Sequence, residues 1–116
     1  MYTEKDNKTV NVLGTDYSIK FVPDKELLEE LGADGACDSS LKLIRVCTME
    51  SGNLGDLHAY QKKVLKHEII HAFLYESGLA ECSGTVNSWA TNEEMVDFFA
   101  LQHDKIHAAF EKAGAL

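Results

Sequence analysis

The sequence has few cysteines and fewer basic than acidic residues. These two features exclude several kinds of protein and binding partner. Its three cysteines, Cys37, Cys47 and Cys82, are odd in number, widely spaced and free of any CxxC arrangement. That pattern argues against a disulfide framework and against a zinc site built from thiolates. Eleven lysines and arginines stand against 19 acidic residues, which gives a formal net charge of -8 without a basic cluster. Nucleic acid and anionic membrane surfaces are therefore not expected as partners.

Long apolar runs are also absent from the sequence, and their absence indicates where in the cell the protein is expected. No stretch approaches the roughly 20 apolar residues that a membrane-spanning helix needs. The N-terminal segment 1–8 is polar, unlike a signal peptide. We therefore expect a cytoplasmic protein with no membrane partner. A chain of 116 residues, 45% of them hydrophobic, fits one domain over residues 1–116.

Hydrophobic periodicity predicts an α+β fold with the element order β-β-α-β-α-α. Two alternating runs predict a β-hairpin at 9–22, helical spacing of leucines predicts a short helix at 24–31, and a Leu, Ile and Val-rich run predicts a third strand at 40–47. Two long segments, 56–77 and 92–113, contain neither glycine nor proline and predict helices. The expected architecture is a small mixed sheet of about three strands packed against an active-site helix and a C-terminal helix.

Residues at the ends of these segments refine the prediction. Asp56 is expected to cap the first long helix, and Gly78 to end it. Gly14-Thr15-Asp16 is expected to form the hairpin turn, and Asp34-Gly35 a second turn.

The remaining expectations concern the sheet edge, the last helix and two loops. The strand at 40–47 is expected to be buried on one face and irregular or edge-like on the other, because Lys42 and Arg45 break its alternation. Residues 49–55 and 81–90 are expected to be loops. The last helix is expected to pack on the first long helix through one apolar stripe, formed by Met95, Phe99, Ile106 and Phe110.

The first long helix contains the pentapeptide His67-Glu68-Ile69-Ile70-His71. Residues four apart on an α-helix are rotated by about 40°, so His67 and His71 project from one face and can bind the same ion. A zinc ion held by two imidazoles needs a third protein ligand and keeps an open position for water. Glu68 lies beside the two histidines and can take a proton from that zinc-bound water.

The setting of this pentapeptide favours a metal site over a chance pattern of surface or core residues. A helix so rich in apolar residues is expected to be buried, where two imidazoles and a carboxylate without partners would be costly. The apolar residues around the pentapeptide are Leu65, Ile69, Ile70, Phe73 and Leu74.

The third ligand is expected from the segment that opens the last helix. A histidine six residues after His71 would be typical of a metzincin, but position 77 is serine. The segment Asn92-Glu93-Glu94-Met95-Val96-Asp97 follows instead, after a loop long enough to reverse the chain direction. Glu93 and Asp97 lie four residues apart and share one face of the helix.

The pentapeptide followed by Asn-Glu-x-x-x-Asp resembles the gluzincin clan of zinc peptidases, and within it the small ImmA/IrrE-like and prophage-encoded metallopeptidases. The resemblance in layout covers roughly residues 40–107 and is specific only at the two motifs. It implies a minimal zincin-like domain in which His67, His71 and Glu93 hold Zn²⁺. It also implies that Asp97 orients a ligand histidine, in keeping with the carboxylate partners that such imidazoles usually have.

Glu94 stays open as an alternative to Glu93. The pattern of ImmA/IrrE-like proteins at this place usually reads Glu-Ala-Asn followed by Phe-Ala, whereas this chain has Glu94-Met95-Val96 followed by Phe98-Phe99-Ala100. Glu93 is preferred because only that choice puts Asp97 on the metal-facing side. The two residues are separated by one helical step of about 100°.

The resemblance implies a zinc metallopeptidase that hydrolyses a peptide bond, with Glu68 as the general base that later returns a proton to the leaving amine. The expected substrate is a protein or peptide such as a regulator or repressor, aligned on the strand at 40–47. A zinc-binding module that binds a partner without cleaving it is the alternative, although a purely structural site has no need of Glu68. The sequence leaves the oligomeric state open. Spacing singles out no oxyanion-stabilising residue among Tyr60, Tyr75, His58, His103 and His107.

Overall fold

The computed structural model describes residues 1–50, 55–82 and 89–116, and it has an α+β fold. A four-stranded mixed sheet packs against helices, which confirms the predicted class. Two 3-10 turns, Glu4–Asp6 and Trp89–Thr91, accompany the regular elements. In chain order these elements are β1 (Lys8–Val12), β2 (Thr15–Val22), α1 (Asp24–Leu31), β3 (Gly35–Asp38), β4 (Leu43–Cys47), α2 (Leu57–Glu76), α3 (Leu79–Cys82) and α4 (Glu93–Lys112).

The sheet order is β1-β2-β4-β3, so β1 and β3 form its two edges. The predicted hairpin is confirmed as β1 and β2, β2 runs parallel to β4, and β3 is antiparallel to β4. The sheet has four strands where about three were predicted, and the strand at 40–47, expected to be edge-like, corresponds to the interior strand β4. The missed edge strand, β3, has only four residues, too few for an alternating pattern to be recognised. It begins at Gly35, where the sequence predicted a turn.

The hairpin closes in a two-residue turn that is shorter than predicted. Leu13 and Gly14 form it with φ values of 51° and 93°, and two positive values are typical of a type I′ turn. The side chain of Asn11 accepts a hydrogen bond of 3.0 Å from the Gly14 backbone N–H. Thr15 and Asp16, predicted to lie in the turn, begin β2 instead.

One face of the sheet is apolar and lies under α2. Along β2, the exposed residues Ser18 and Lys20 alternate with buried ones, as the hairpin pattern predicts. Removing this apolar surface from water is the main force that holds the sheet and helix together. The principal core residues are Tyr17, Ile19, Phe21, Ile44, Val46, Val64 and Ala72.

Helix α2 begins and ends where the sequence predicts. The Asp56 side chain accepts a hydrogen bond of 2.9 Å from the Ala59 backbone N–H, which confirms the cap. Gly78 follows the helix with a φ of 84°. The apolar residues that were expected to be buried are half-buried or, at Phe73, 40% exposed. The residues that α2 buries are Gln61, Val64, Glu68, His71 and Ala72.

Helix α4 packs on α2 as predicted, but the residues it buries are not those of the predicted stripe. Asn92 caps its first turn. The buried residues are Val96 and Ala100, whereas Phe99 and Phe110 of the predicted stripe are 44% and 50% exposed. Short side chains at the contact let two helices approach closely, and the bulky aromatic rings are left beside it.

The N-terminal segment is fixed by a buried amide. The Gln61 side chain, which is fully buried, accepts a hydrogen bond from the Tyr2 backbone N–H at 2.8 Å. Its Nε2 donates to the backbone oxygens of Tyr2 at 2.9 Å and Cys47 at 3.1 Å. One amide thus joins the N-terminus, α2 and the end of β4.

The two predicted loops fall largely outside the described residues, at 51–54 and 83–88. The loop predicted at 81–90 also missed the short helix α3 and the 3-10 turn on its two sides. Cys37 and Cys47 carry free thiols, and the side chain of Cys82 lies outside the described part. None of the described helices combines the length and the apolar character needed to cross a bilayer.

Glu76 ties the end of α2 to the sheet. Its carboxylate accepts hydrogen bonds from the Tyr17 hydroxyl at 2.7 Å and the Thr15 hydroxyl at 3.3 Å, and pairs with Lys42 Nζ at 2.7 Å. A carboxylate is unfavourable at a helix C-terminus, and these three partners offset that cost. The hydrogen bonds from Lys42 and Tyr17 hold the pKa of Glu76 below its ordinary value.

Replacing Glu76 with glutamine should lower stability at neutral pH and flatten its acid dependence. Because the folded-state pKa is depressed, the stability from the ionised group is present above the unfolded pKa of about 4.3 and is lost as pH falls through the lower folded value. Urea titrations at a series of pH values measure this. Glu29→Gln, an exposed change on α1, is the matched control and should keep the wild-type slope. An equal slope in Glu76→Gln would contradict the assignment.

Candidate metal centre

The two histidines of the pentapeptide face α4 as a pair. Their four-residue spacing brings the ring centroids to 4.7 Å, and the Nε2 atoms of His67 and His71 lie 3.1 Å apart. Both side chains are largely shielded from solvent, with 13% and 11% exposed.

Glu93, in the first turn of α4, completes a triangle of ligand-type atoms. Its Oε2 lies 2.8 Å from His67 Nε2, and its Oε1 lies 3.1 Å from His71 Nε2. The neighbouring Glu94 is exposed and has no described contact with either ring. The carboxylate in contact with the imidazoles is therefore that of Glu93, and its role as a metal ligand stays a prediction.

The three groups have the chemistry and spacing that a zinc ion needs. Two imidazole nitrogens and a carboxylate oxygen are a ligand set of catalytic zinc, and ligands about 2.0 Å from a tetrahedral ion stand roughly 3.3 Å apart. The separations here are 2.8, 3.1 and 3.1 Å, so small side-chain rotations would make room for the ion. Ligand atoms of His67, Glu68 and His71 also lie within 4.8 Å of one another. Glu93 fits the third position better, because it contacts both rings.

Asp97, one turn after Glu93, contacts the other side of the His67 ring. Its Oδ1 lies 2.6 Å from His67 Nδ1. We assign the ring proton to Nδ1, which leaves the Nε2 lone pair directed at the triangle. Lys63 Nζ lies 3.0 Å from the same carboxylate oxygen. Burial raises the pKa of Asp97, but the hydrogen bonds from Lys63 and His67 outweigh it and hold the pKa below its ordinary value.

Glu68 lies on the sheet-facing side of α2 and is 8% exposed. Burial raises the pKa of its carboxyl to about 7, the His67 imidazole opposes that rise, and the Glu93 carboxylate adds to it. A pKa near neutrality suits a general base, and a cation beside the carboxyl would lower it. Burial lowers the pKa of His71 against the attraction of Glu93, which favours the neutral imidazole that binds metals.

The edge strand β3 approaches Glu68 so closely that only glycine fits at position 35. A Cβ at Gly35 would lie 2.6 Å from Val64 Cγ1 and 3.0 Å from Glu68 Oε2. Gly35 is therefore required for space rather than for an unusual backbone angle. Its presence lets the sheet edge lie directly against the candidate base.

Three residues near the centre were missed from the sequence. Lys63 contacts Asp97, Gly35 contacts Glu68, and Tyr60, considered only for oxyanion stabilisation, donates a hydrogen bond of 2.6 Å to Asp34. Lys63 and Tyr60 precede His67 by four and seven residues, a spacing on one helix face that could have indicated them. Gly35 has no local signal, because its role depends on two segments distant in sequence.

The other four residues considered for oxyanion stabilisation lie in different parts of the fold. The Tyr75 ring centroid is 6.4 Å from that of His71. His58 packs edge-on against an aromatic ring of the N-terminal segment. His103 and His107 are exposed on the outer part of α4.

The five residues predicted from the sequence, His67, Glu68, His71, Glu93 and Asp97, lie together in one place. Comparison of the chain with protein-family models, with curated proteins and with solved structures finds no match. The resemblance to gluzincins therefore rests on these residues and on their geometry.

Replacing Gly35 with alanine should disturb the centre without removing any of its polar groups. The added methyl group displaces Val64 and Glu68, at a cost of about 1–3 kcal/mol in unfolding free energy. Chemical denaturation measures the loss. Gly55→Ala is the matched control, because nothing lies within 4 Å of a Cβ built there. Equal losses of unfolding free energy in Gly35→Ala and Gly55→Ala would show that the close approach of β3 to α2 does not restrict the residue at position 35.

Replacing Asp97 with asparagine should weaken zinc binding about 10- to 100-fold while the fold is kept. The amide no longer accepts the His67 proton as a carboxylate does, so the ring loses its orientation and part of its basicity. Competition with a chromophoric chelator measures the affinity. Asp104→Asn, on the same helix and paired with Lys66 at 3.3 Å, should bind zinc as the wild type does.

Proposed function

We propose that this protein is a zinc-dependent metallopeptidase in which His67, His71 and Glu93 hold Zn²⁺. The observation that carries the proposal is the triangle of two Nε2 atoms and one carboxylate, with separations of 2.8–3.1 Å. Electron-rich atoms at such distances repel one another unless protons or a cation lie between them, and a divalent cation would satisfy all three. The buried Glu68 beside this triangle favours catalysis over a purely structural site.

Zinc, when bound, polarises a peptide carbonyl and lowers the pKa of water to about 7. In the proposed reaction Glu68 takes a proton from water as the oxygen attacks the carbonyl carbon. Glu68 then delivers that proton to the amine nitrogen as the C–N bond breaks, which yields a carboxylic acid and an amine; the acid's proton then passes to the amine, giving a carboxylate and an ammonium group. Asp97 keeps the His67 ring oriented through Nδ1, and Lys63 in turn holds Asp97.

The proposed substrate is an extended protein segment that pairs with β3. This strand is an edge of the sheet, and its Gly35 lies against Glu68. A peptide added to β3 by backbone hydrogen bonds would therefore pass beside the base. The sequence predicted that the substrate aligns on the strand at 40–47. We assign the docking edge to β3 instead, because β4 has neighbouring strands on both sides.

The resemblance to prophage-associated enzymes supports a regulatory protein, such as a repressor, as the target. It also supports a cytoplasmic location, with which the free thiols of Cys37 and Cys47 agree. Both remain parts of the proposal.

A zinc-binding module that engages a partner without cleaving it is the second candidate. The observation that favours it is the set of exposed aromatic side chains on α4, where Phe98, Phe99 and Phe110 are 53%, 44% and 50% exposed. Exposed rings of this kind are frequent in protein-binding surfaces. Both candidates require the same metal centre, and only the peptidase requires Glu68.

The Glu68→Gln variant separates the two candidates. Bound zinc should stay at the wild-type level, while cleavage of a degenerate peptide library should fall by at least about 10²-fold, because the amide takes up no proton. Zinc is quantified by elemental analysis, and cleavage by mass spectrometry. Glu94→Gln, which removes an exposed carboxylate from the same helix turn, should leave both unchanged.

Two results would overturn the peptidase. The first is a wild-type protein that binds zinc but cleaves neither the peptide library nor the proteins encoded by neighbouring genes; the zinc-binding module would then be the remaining candidate. A wild type that purifies without zinc, and whose unfolding temperature does not fall on chelation, would exclude both candidates, since a ligand of the native state stabilises it.

A further inference from the structure

A cavity of about 210 Å³ opens beside the metal centre, between β3 and the first half of α2. His67 and Glu68 line it on the side of the metal centre, and Asp34 and Tyr60 line it farther away. Tyr60 precedes His67 by seven residues, which is two helical turns or about 10 Å along the axis. The cavity therefore reaches from the reacting groups to a polar pair that the proposed chemistry does not use.

Among the described residues, one hydrogen bond holds the carboxylate of Asp34 in this cavity. The Tyr60 hydroxyl donates to its Oδ2 at 2.6 Å. This hydrogen bond and burial raise the pKa of Tyr60 to about 12, so the hydroxyl stays a donor. The backbone oxygen of Asp34 accepts from the Cys47 N–H at 2.9 Å, which fixes the main chain. Among the described residues no hydrogen bond or ion pair reaches Oδ1 of this side chain, so it can accept a further donor.

In the part of the chain that the structure describes, the charges around the cavity provide no counter-ion for Asp34. Lys63, the one lysine that lines it, is already paired with Asp97 at 3.0 Å. A bound Zn²⁺ would be balanced by the carboxylates of Glu68 and Glu93. Within the described part of the chain no basic group is paired with Asp34, so one negative charge remains at the far end.

We propose that the Asp34–Tyr60 end of this cavity binds a positively charged side chain, lysine or arginine, of the peptide substrate. The inference rests on the proposed function and names its substrate class. Asp34 directly precedes β3, so a peptide paired with that edge would direct alternate side chains towards α2 and into the cavity. Lysine and arginine are long enough to reach a carboxylate set back from the cleaved bond. The chain's net charge of -8 would also attract basic segments.

A binding measurement with the zinc-loaded Glu68→Gln protein tests this directly. The probes are acetylated penta-alanine amides that carry one lysine at each successive position, with norleucine and glutamate counterparts. We expect lysine at one position or more to bind at least about tenfold more tightly than norleucine, and glutamate to bind more weakly than either. Asp34→Asn, combined with Glu68→Gln, should remove the preference for lysine.

The controls separate loss of charge from loss of fold. Asparagine has the shape of aspartate and still accepts the Tyr60 hydrogen bond, so Asp34→Asn should keep the wild-type unfolding temperature. Glu29→Gln removes the same charge from an exposed position on α1 and should keep the preference. Tyr60→Phe removes the hydroxyl that donates to the Asp34 carboxylate and should reduce the preference without abolishing it.

A cleavage profile of the wild type distinguishes this inference from the proposed function. If both hold, cleavage sites are enriched in lysine or arginine at one fixed position, and Asp34→Asn removes the enrichment. If cleavage depends on Glu68 but neither it nor peptide binding favours basic residues, the metallopeptidase stands and this inference is overturned. If peptides with lysine bind through Asp34 but nothing is cleaved, the subsite stands and the peptidase is overturned. A lysine preference that survives Asp34→Asn also overturns the inference.

Discussion

Helix α2 is packed on two sides at once, against the sheet and against α4, and the candidate site depends on that double packing. With 3.6 residues per turn, His67 and His71 share one side of the helix, while Glu68 lies about 100° away from His67. The first side meets α4 and the second meets the sheet at β3. Two imidazoles and a buried carboxyl therefore face one small volume without any distortion of the helix.

The same packing concentrates negative charge in that volume. Glu68, Glu93, Asp97 and Asp34 lie around one stretch of α2. Lys63, which pairs with Asp97, is the only lysine among the described residues that line the neighbouring cavity. The pKa of Glu68, which the sheet buries, is raised. The pKa of Asp97, which receives hydrogen bonds from Lys63 and His67, is lowered. A divalent cation held by the imidazoles and Glu93 would relieve this repulsion, so metal binding would stabilise the fold. Glu93 is 69% exposed, so this centre remains accessible from solvent.

Local signals were enough for the elements whose ends are set by their own side chains. Asp56 and Asn92 accept hydrogen bonds from the first turns of α2 and α4, and the alternation in β2 marks its buried face. Local signals failed where packing decides. The apolar stripe predicted on α4 has helical spacing, yet the residues that α4 buries are Val96 and Ala100. Two helices that cross closely accept short side chains at the contact.

What the sequence alone determined was the α+β class, the hairpin, the two long helices and the pairing of His67 with His71. All of these follow from periodicity and capping over a few consecutive residues. Tertiary structure decided that the sheet has a fourth strand, that this strand is the edge beside Glu68, and that Glu93 rather than Glu94 contacts the imidazoles. It also brought Lys63 to Asp97 and Tyr60 to Asp34. The last two contacts join residues 34 and 26 positions apart. No local pattern specifies how such segments meet, because their distance is set by the volume of the side chains packed between them.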